Sequence, residues 1–274
     1  MAKLLCIWVT LVLCSLLGRS QGKLLLIGGG ERTPAVMHAL ADLAALRKDD
    51  YVVVLPMATV KVDSTFRHFM LDYATVMKNP VALLDFSDSS RDVARLDSLR
   101  HARLIFITGG DQDRFMRIVG SGPVCQAIHA AYDHGATIAG SSAGAAVMAE
   151  HMITGQQLID TEYHITFTRL IAGNVELKPG LGLVTRALID QHFVVRSRYN
   201  RLLSAVGAYP ELMGIGIDES TGIEIVGDRV TVIGSRQVIV FKHPRNVSVT
   251  REGLIKIGSI DCSIYTAGDT FRLL

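Results

Sequence analysis

The chain has 274 residues, of which 49% are hydrophobic and 20% are charged, a composition that excludes a disordered or low-complexity protein. Its 28 Lys and Arg residues against 26 Asp and Glu residues give a net charge of +2, and the sequence contains no polybasic run. This balance does not favour a nucleic-acid-binding protein.

An apolar segment near the start of the chain, residues 4–18, is preceded by Lys3 and followed by the small residues Ser20 and Gly22. This is the pattern of a secretory signal peptide, and the segment is shorter than the roughly 20 apolar residues that a membrane-spanning helix needs. We therefore predict a signal peptide over residues 1–22 and a secreted mature protein, which is extracellular, or periplasmic in a Gram-negative bacterium. An uncleaved membrane anchor is the alternative.

Short apolar or β-branched runs alternate with helical segments in the first part of the mature chain. The predicted strands are residues 24–30, 51–58, 81–86, 103–110 and 136–140, and the predicted helices are residues 34–46, 64–78, 91–100, 112–119 and 123–134. Because the strands are almost continuously apolar, both faces of their sheet must be buried. The pattern predicts an α/β fold with a mostly parallel sheet, helices on both faces, and a single domain over residues 23–274.

The second part of the mature chain follows a different pattern. A further helix is predicted to begin in the Ala-rich run 142–153, and the polar, irregular residues 151–180 are predicted to be a loop-like insertion. Beyond them, turns at Gly227-Asp228 and Gly234-Ser235 separate strand-like runs, which predicts an antiparallel C-terminal extension of the same sheet.

Two cysteines, Cys125 and Cys262, lie in the mature chain. In an oxidising compartment they either form one disulfide or remain two buried thiols, and the sequence leaves both alternatives open. Asn246 begins an Asn-Val-Ser sequon, which is a glycosylation site only in a eukaryotic secretory pathway.

A candidate nucleophile follows the strand predicted to end at residue 140. Residues 140–144 read Gly-Ser-Ser-Ala-Gly between a strand and a helix, the context in which G-x-S-x-G exposes a serine oxygen, here that of Ser142, on a sharp turn. The N–H of Ala143 is the first candidate donor to an oxyanion, and the second comes from the Gly110 region. A turn of small residues chosen only for tight strand–helix packing is the alternative.

A serine needs a base and a group that orients the base. His192 follows an apolar run and is the candidate base, with His151 and His164 as rivals in the irregular stretch, and Glu219 is the candidate orienting acid. The chain order Ser142, His192, Glu219 differs from the Ser-acid-His order of α/β-hydrolases, which argues against a lipase or esterase.

Three arginines follow the candidate base: Arg196, Arg198 and Arg201. Fixed guanidinium groups at that place would select carboxylate-bearing substrates, whereas a solvated helix face is the alternative. The Gly-rich turn 28–30 does not match the G-x-G-x-x-G fingerprint of nucleotide sites, and no metal-binding motif occurs, so we predict neither cofactor nor metal.

Four segments carry a resemblance to a known family: residues 107–112, 140–148, 189–206 and 214–221. They resemble the serine peptidases that include aspartyl dipeptidase E and cyanophycinase, whose fold is like that of the class I glutamine amidotransferases, and the cyanophycinase-like members are the more similar. The resemblance implies Ser142 as nucleophile, His192 as general base and Glu219 as orienting acid. It also implies substrate-binding roles for Gln112, Asp190, Gln191, Arg196, Arg198 and Arg201, and a homodimer.

The same resemblance implies a substrate. Cyanophycin is a poly-aspartate backbone with arginine on each side chain, and enzymes of this family are exopeptidases that release β-aspartyl-arginine dipeptides from it. The three arginines would then hold carboxylates, and Asp190 would meet a substrate guanidinium. A secreted aspartyl or isoaspartyl dipeptidase of the same family is one alternative, and a non-catalytic secreted binding protein is another.

Overall fold

A computed structural model describes residues 21–88, 92–162 and 166–274. The predicted signal peptide, apart from its last two residues, and the rival base His164 lie outside these ranges. No helix within the described ranges combines the length and the apolar character that crossing a membrane requires.

An eight-stranded central sheet forms the middle layer of the molecule. Its parallel strands are β1 (Lys23–Ile27), β2 (Val52–Leu55), β3 (Val81–Leu83), β4 (Leu104–Ile107) and β5 (Thr137–Ser141). The helices are α1 (Pro34–Ala44), α2 (Val62–Tyr73), α3 (Val93–His101), α4 (Gln112–Val119), α5 (Pro123–Asp133), α6 (Ala143–Ala146) and α7 (Tyr199–Ala208). The remaining strands are β6 (His151–Gln157), β7 (Val175–Pro179), β8 (Ala187–Gln191), β9 (Met213–Ile217), β10 (Thr221–Val226), β11 (Arg229–Gly234), β12 (Val238–Arg245), β13 (Ser248–Val249), β14 (Ile255–Lys256), β15 (Ser259–Tyr265) and β16 (Thr270–Arg272).

The order of the central sheet is β16-β11-β10-β1-β5-β4-β2-β3. Each pairing from β1 through β10 and β11 to β16 is antiparallel. Successive residues of β1 point to opposite faces: Leu25 packs with α1 and α2, and Leu26 packs with α3, α4 and α5. Both faces are therefore covered by helices. The predicted α/β fold, with a mostly parallel sheet and an antiparallel C-terminal extension, is confirmed.

The helix predicted over residues 142–153 is wrong beyond its first turn, because α6 ends at Ala146. Backbone pairing with a distant segment replaces the helical bonds: the N–H groups of Leu183 and Val184 both donate to Met148 O, and Glu150 N donates to Val184 O at 2.8 Å. The chain then continues as β6 and pairs with β7 in an antiparallel ribbon. Part of the predicted irregular insertion 151–180 is thus a two-stranded ribbon, which its polar composition concealed.

The two predicted C-terminal turns have different outcomes. Gly227-Asp228 joins β10 to β11 in a hairpin, as predicted. After Gly234-Ser235, however, the chain leaves the central sheet, and β12 pairs with β9 and β15 in a second, four-stranded sheet of order β15-β12-β9-β8. The cause is a separate apolar cluster in which Ile239 and Phe241 of β12 are buried with residues of α7.

Both cysteines of the described ranges are free thiols. Cys125 on α5 is half-buried and Cys262 on β15 is exposed, so the structure contains neither the disulfide nor two buried thiols. Asn246 is exposed after β12.

Candidate active site

Ser142 follows β5 directly and adopts a left-handed backbone conformation with φ +55°. Such a conformation is costly for a residue with a side chain and is characteristic of functional sites. The flanking glycines permit it: a Cβ on Gly140 would lie 2.3 Å from Gly144 O, and a Cβ on Gly144 would lie 2.2 Å from Ile107 O. The Ser142 N–H donates to Ile27 O at 2.9 Å, which fixes the turn against the end of β1.

His192 lies at the end of β8, also with a positive φ of +50°, and its backbone N–H donates to Gly28 O at 2.7 Å. Its Nε2 lies 2.8 Å from Ser142 Oγ, and its Nδ1 lies 2.6 Å from Glu219 Oε1. With the Nδ1 proton directed at the carboxylate, Nε2 is left to accept the hydroxyl proton of the serine. The structure thus brings together the three residues predicted as nucleophile, base and orienting acid, in that hydrogen-bonded order.

The pKa of His192 is lowered from its ordinary value, and burial of the imidazole is the main cause. The positive charges of Arg196 and Arg198 lower it further, while the hydrogen bond to Glu219 acts in the opposite direction. The neutral imidazole, the form that can accept a proton, is therefore favoured.

The glycine turn after β1 packs against both His192 and Glu219, a role that the sequence did not indicate. A Cβ on Gly29 would lie 2.3 Å from Cε1 of His192, and a Cβ on Gly30 would lie 2.8 Å from Cβ of Glu219. The carbonyl of Gly29 also accepts the N–H of Ser220 at 2.8 Å, next to the acid. The only available signal was three consecutive glycines at the end of the first strand, and the sequence does not say what approaches them.

The two predicted oxyanion donors flank Ser142. Ala143 is the first residue of α6, so its N–H has no partner within that helix. Gly110 lines the same cavity as Ser142 and packs so tightly that a Cβ there would lie 2.2 Å from Ala58 O. Their role as oxyanion donors stays a prediction.

Asp190 and Arg201 form a buried ion pair close in the chain to His192. Asp190 is 0% exposed, and Arg201 donates to its carboxylate through Nε, at 2.7 Å from Oδ2, and through Nη2 to Oδ1. The predicted contact between Asp190 and a substrate guanidinium is therefore not available in this structure, because the carboxylate is enclosed and already paired with an arginine.

Gln191 and Arg198 form a second buried contact next to this pair. Arg198, 8% exposed, donates through Nη1 to Gln191 O at 2.7 Å and to Gln191 Oε1 at 2.8 Å. The alternative of a solvated arginine face is wrong for Arg198 and Arg201, since both are buried. Arg196, in contrast, is half-buried.

Gln112, the first residue of α4, is buried and binds the ribbon. Its side-chain amide donates to Ile153 O at 3.1 Å and to Thr154 O at 2.7 Å, which ties β6 to the site. Asp218, to which the sequence analysis gave no role, is buried next to Glu219. Its Oδ1 accepts the N–H groups of Val194 and Val195 at 3.1 and 3.0 Å, and so fixes the segment after the base.

A small cavity of about 140 Å³ adjoins the serine. It is lined by Gly110, Gln112, Ser142, Thr154, Gly155, Gln156, Gln191, Arg196, Arg198 and Arg201. Six of the predicted site residues thus surround one cavity with Ser142, and the three from β6 are additions that the sequence did not indicate. Within the described ranges, no three His, Cys, Asp or Glu side chains are grouped so that they could hold a metal ion.

Comparisons with known proteins show the family to which the chain belongs. The profile of Peptidase family S51 matches residues 24–233. A cyanophycinase of Nostoc sp. is 31% identical over 235 residues, which are 81% of this chain and 75% of that protein. A cyanophycinase of Geminocystis herdmanii is 28% identical over 266 residues, 92% of this chain and 94% of that protein.

Solved structures share the fold. A peptidase from an acI-B1 Actinobacterium is similar with a TM-score of 0.67 at 20% identity, over 93% of this chain and 98% of its own. A second one, described as a putative peptidase E protein from Listeria monocytogenes, has a TM-score of 0.55 at 16% identity, over 78% and 99%. The matched family segment includes Ser142, His192 and Glu219. This chain belongs to Peptidase family S51 and is a serine-type peptidase.

Proposed function

We propose that this protein is a secreted serine exopeptidase that hydrolyses cyanophycin to β-aspartyl-arginine dipeptides. One observation carries the proposal: a continuous relay of hydrogen bonds, 2.8 Å from Ser142 Oγ to His192 Nε2 and 2.6 Å from His192 Nδ1 to Glu219 Oε1, opens onto a cavity lined by arginines. The cyanophycinases among its relatives support the choice of polymer.

The reaction follows from the order of the relay. His192 removes the Ser142 proton as Oγ attacks a backbone aspartyl carbonyl, and the N–H groups of Ala143 and the Gly110 region stabilise the oxyanion. His192 then gives that proton to the leaving amine, and water, activated by the same imidazole, releases the acyl group from the serine. The carboxylate of Glu219 stabilises the imidazolium that forms in each step.

The charges around the cavity support an acidic substrate. Arg201 is neutralised by Asp190, whereas the guanidinium of Arg196 pairs with no carboxylate of the described residues. A carboxylate in the cavity therefore meets a net positive field with Arg196 as its free cation.

A second candidate is an aspartyl or isoaspartyl dipeptidase. The cavity of about 140 Å³ is smaller than the roughly 300 Å³ at which sites for whole small ligands start, so a substrate as short as an acidic dipeptide is enough to fill it. Both candidates use the same relay and differ only in what extends beyond the cavity.

Incubation of the purified mature protein with insoluble cyanophycin, in parallel with Asp-Xaa and isoaspartyl dipeptides, tests the proposal. Mass spectrometry is expected to find soluble β-aspartyl-arginine dipeptides, and none with a Ser142→Ala control. Hydrolysis of the dipeptides alone would establish the second candidate. Release of equal product by Ser142→Ala would refute both.

Secretion and a homodimer are part of the same proposal, supported by the apolar segment 4–18 and by the family resemblance. N-terminal sequencing of protein from the culture medium or periplasm is expected to begin near residue 23. Light scattering on the eluted protein is expected to give twice the monomer mass, and a monomer mass would contradict the dimer.

A further inference from the structure

The strand β6 is irregular where it borders the cavity. Its pairing with β7 joins Ile153 to Leu177 and then Gln157 to Val175, so that two extra residues are accommodated on β6. Bulges of this kind redirect side chains and often lie next to active sites. The three residues within the bulge, Thr154, Gly155 and Gln156, all line the cavity.

The bulge is held from several sides. Thr154 Oγ1 donates to Glu176 Oε2 on β7 at 2.7 Å and accepts the N–H of Gln156 at 3.1 Å. On its other side, the amide of Gln112 donates to Thr154 O at 2.7 Å. These bonds preform the wall of the cavity.

Gly155 stands opposite the one end of Arg201 that is not used by the ion pair. The arginine side chain is 6% exposed, and its Nε and Nη2 bind Asp190. Within the described residues, no group accepts a hydrogen bond from Nη1. A Cβ on Gly155 would lie 3.0 Å from that atom, so the missing side chain is what leaves Nη1 open to the cavity.

We propose that Gly155 is a specificity-determining residue that exposes Nη1 of Arg201 to a carboxylate oxygen on the side chain of the residue whose carbonyl Ser142 attacks, which in cyanophycin is the carboxylate of the attached arginine. Because Asp190 pairs with Arg201 and fixes its plane, Nη1 supplies a directed hydrogen bond, while Arg196 and Arg198 add positive charge to the same cavity. The inference rests on the proposed function, since it takes the acyl side of an acidic substrate to occupy this cavity.

Binding of β-aspartyl-arginine, the unit released from cyanophycin, is measured by calorimetry in the Ser142→Ala background and tests the site without catalysis. Adding Gly155→Ala is expected to weaken binding about 10- to 100-fold, the effect of losing a hydrogen bond to a charged group. The matched control is Gly173→Ala, in the connection between β6 and β7. Its φ is also positive, +73°, and a Cβ there would meet nothing within 4 Å. It is expected to bind as the background does.

A second measurement separates blocking of the site from damage to the fold. With Ser142 restored, the pH midpoint of its labelling by a small neutral fluorophosphonate is expected to be the same in Gly155→Ala and Gly173→Ala, because, within the described ranges, the bulge makes no hydrogen bond to His192 or Glu219. In the binding measurement, the inference is overturned by an unchanged affinity in Gly155→Ala, by equal weakening in Gly173→Ala, or by no binding to the Ser142→Ala background. In the labelling measurement, it is overturned by a shifted pH midpoint in Gly155→Ala. Carboxylate binding that depends on Gly155, in a protein that hydrolyses no acidic peptide, would instead support the inference and refute the proposed function.

Discussion

Replacement of Gly29 by alanine tests whether the glycine turn after β1 positions His192, the proposed base. The added Cβ would lie 2.3 Å from Cε1 of His192, whereas ordinary contacts begin at 3.4 Å. The ring and the turn must therefore separate by about 1 Å, and a displacement of that size at a catalytic group costs on the order of 100-fold in rate. The 2.8 Å bond from His192 to the serine hydroxyl is the contact that this movement lengthens.

The assay compares kcat for an acidic peptide in Gly29→Ala with that in Gly268→Ala. Gly268 has a similar φ, +92° against +107°, and a Cβ there would meet nothing within 4 Å, so both variants place alanine in a backbone conformation that favours glycine. We expect Gly29→Ala alone to lose about 100-fold in kcat. If Gly29→Ala keeps kcat within a few-fold of Gly268→Ala, the turn does not position His192 and the reasoning fails.

Two further predictions concern the charges around the relay. Arg196→Gln removes a positive charge that lowers the pKa of His192, so the acid limb of the kcat/KM profile is expected to move to higher pH; an unmoved or lowered limb would show that this charge does not act on the imidazole. Asp190→Asn leaves the Arg201 charge buried without its partner and is expected to cost about 3–5 kcal/mol in urea unfolding. Asp160→Asn, which breaks a largely exposed pair, serves as its control and is expected to cost about 0–1 kcal/mol, so equal losses in the two variants would contradict the argument.

The positions of the three relay residues followed from the sequence because strand ends are visible as the ends of apolar runs. Ser142, His192 and Glu219 each lie within three residues of the end of such a run, and the carboxyl ends of parallel strands meet at one edge. Yet β8 and β9 belong to a second sheet that the sequence did not reveal. The contacts that join this sheet to the first one at the site are main-chain bonds, such as His192 N to Gly28 O, and these leave no trace in side-chain pattern.

The remaining features of the site depend on burial and on pairing between distant segments, which the sequence does not show. The pattern of arginines indicated a site for acidic groups, but only the fold shows that Arg201 is buried and paired with Asp190 while Arg196 is half-buried, although both line the cavity. The ribbon was concealed for a similar reason: β6 and β7 pair across a long connection, residues 158–174, in which apolar and polar residues are mixed without a regular period. Its contribution to the cavity wall, including Gly155, therefore had no local signal.

The most direct test of the relay is the rate of covalent labelling of Ser142 by a fluorophosphonate, with the modified residue identified by mass spectrometry. We expect that Ser142 alone is modified in the native protein, and that Glu219→Gln and His192→Ala slow the reaction, the latter by at least about 100-fold, since proton transfer by a positioned base contributes roughly 10²–10⁴-fold. Modification of a different residue, or an unchanged rate in His192→Ala, would contradict the proposed relay.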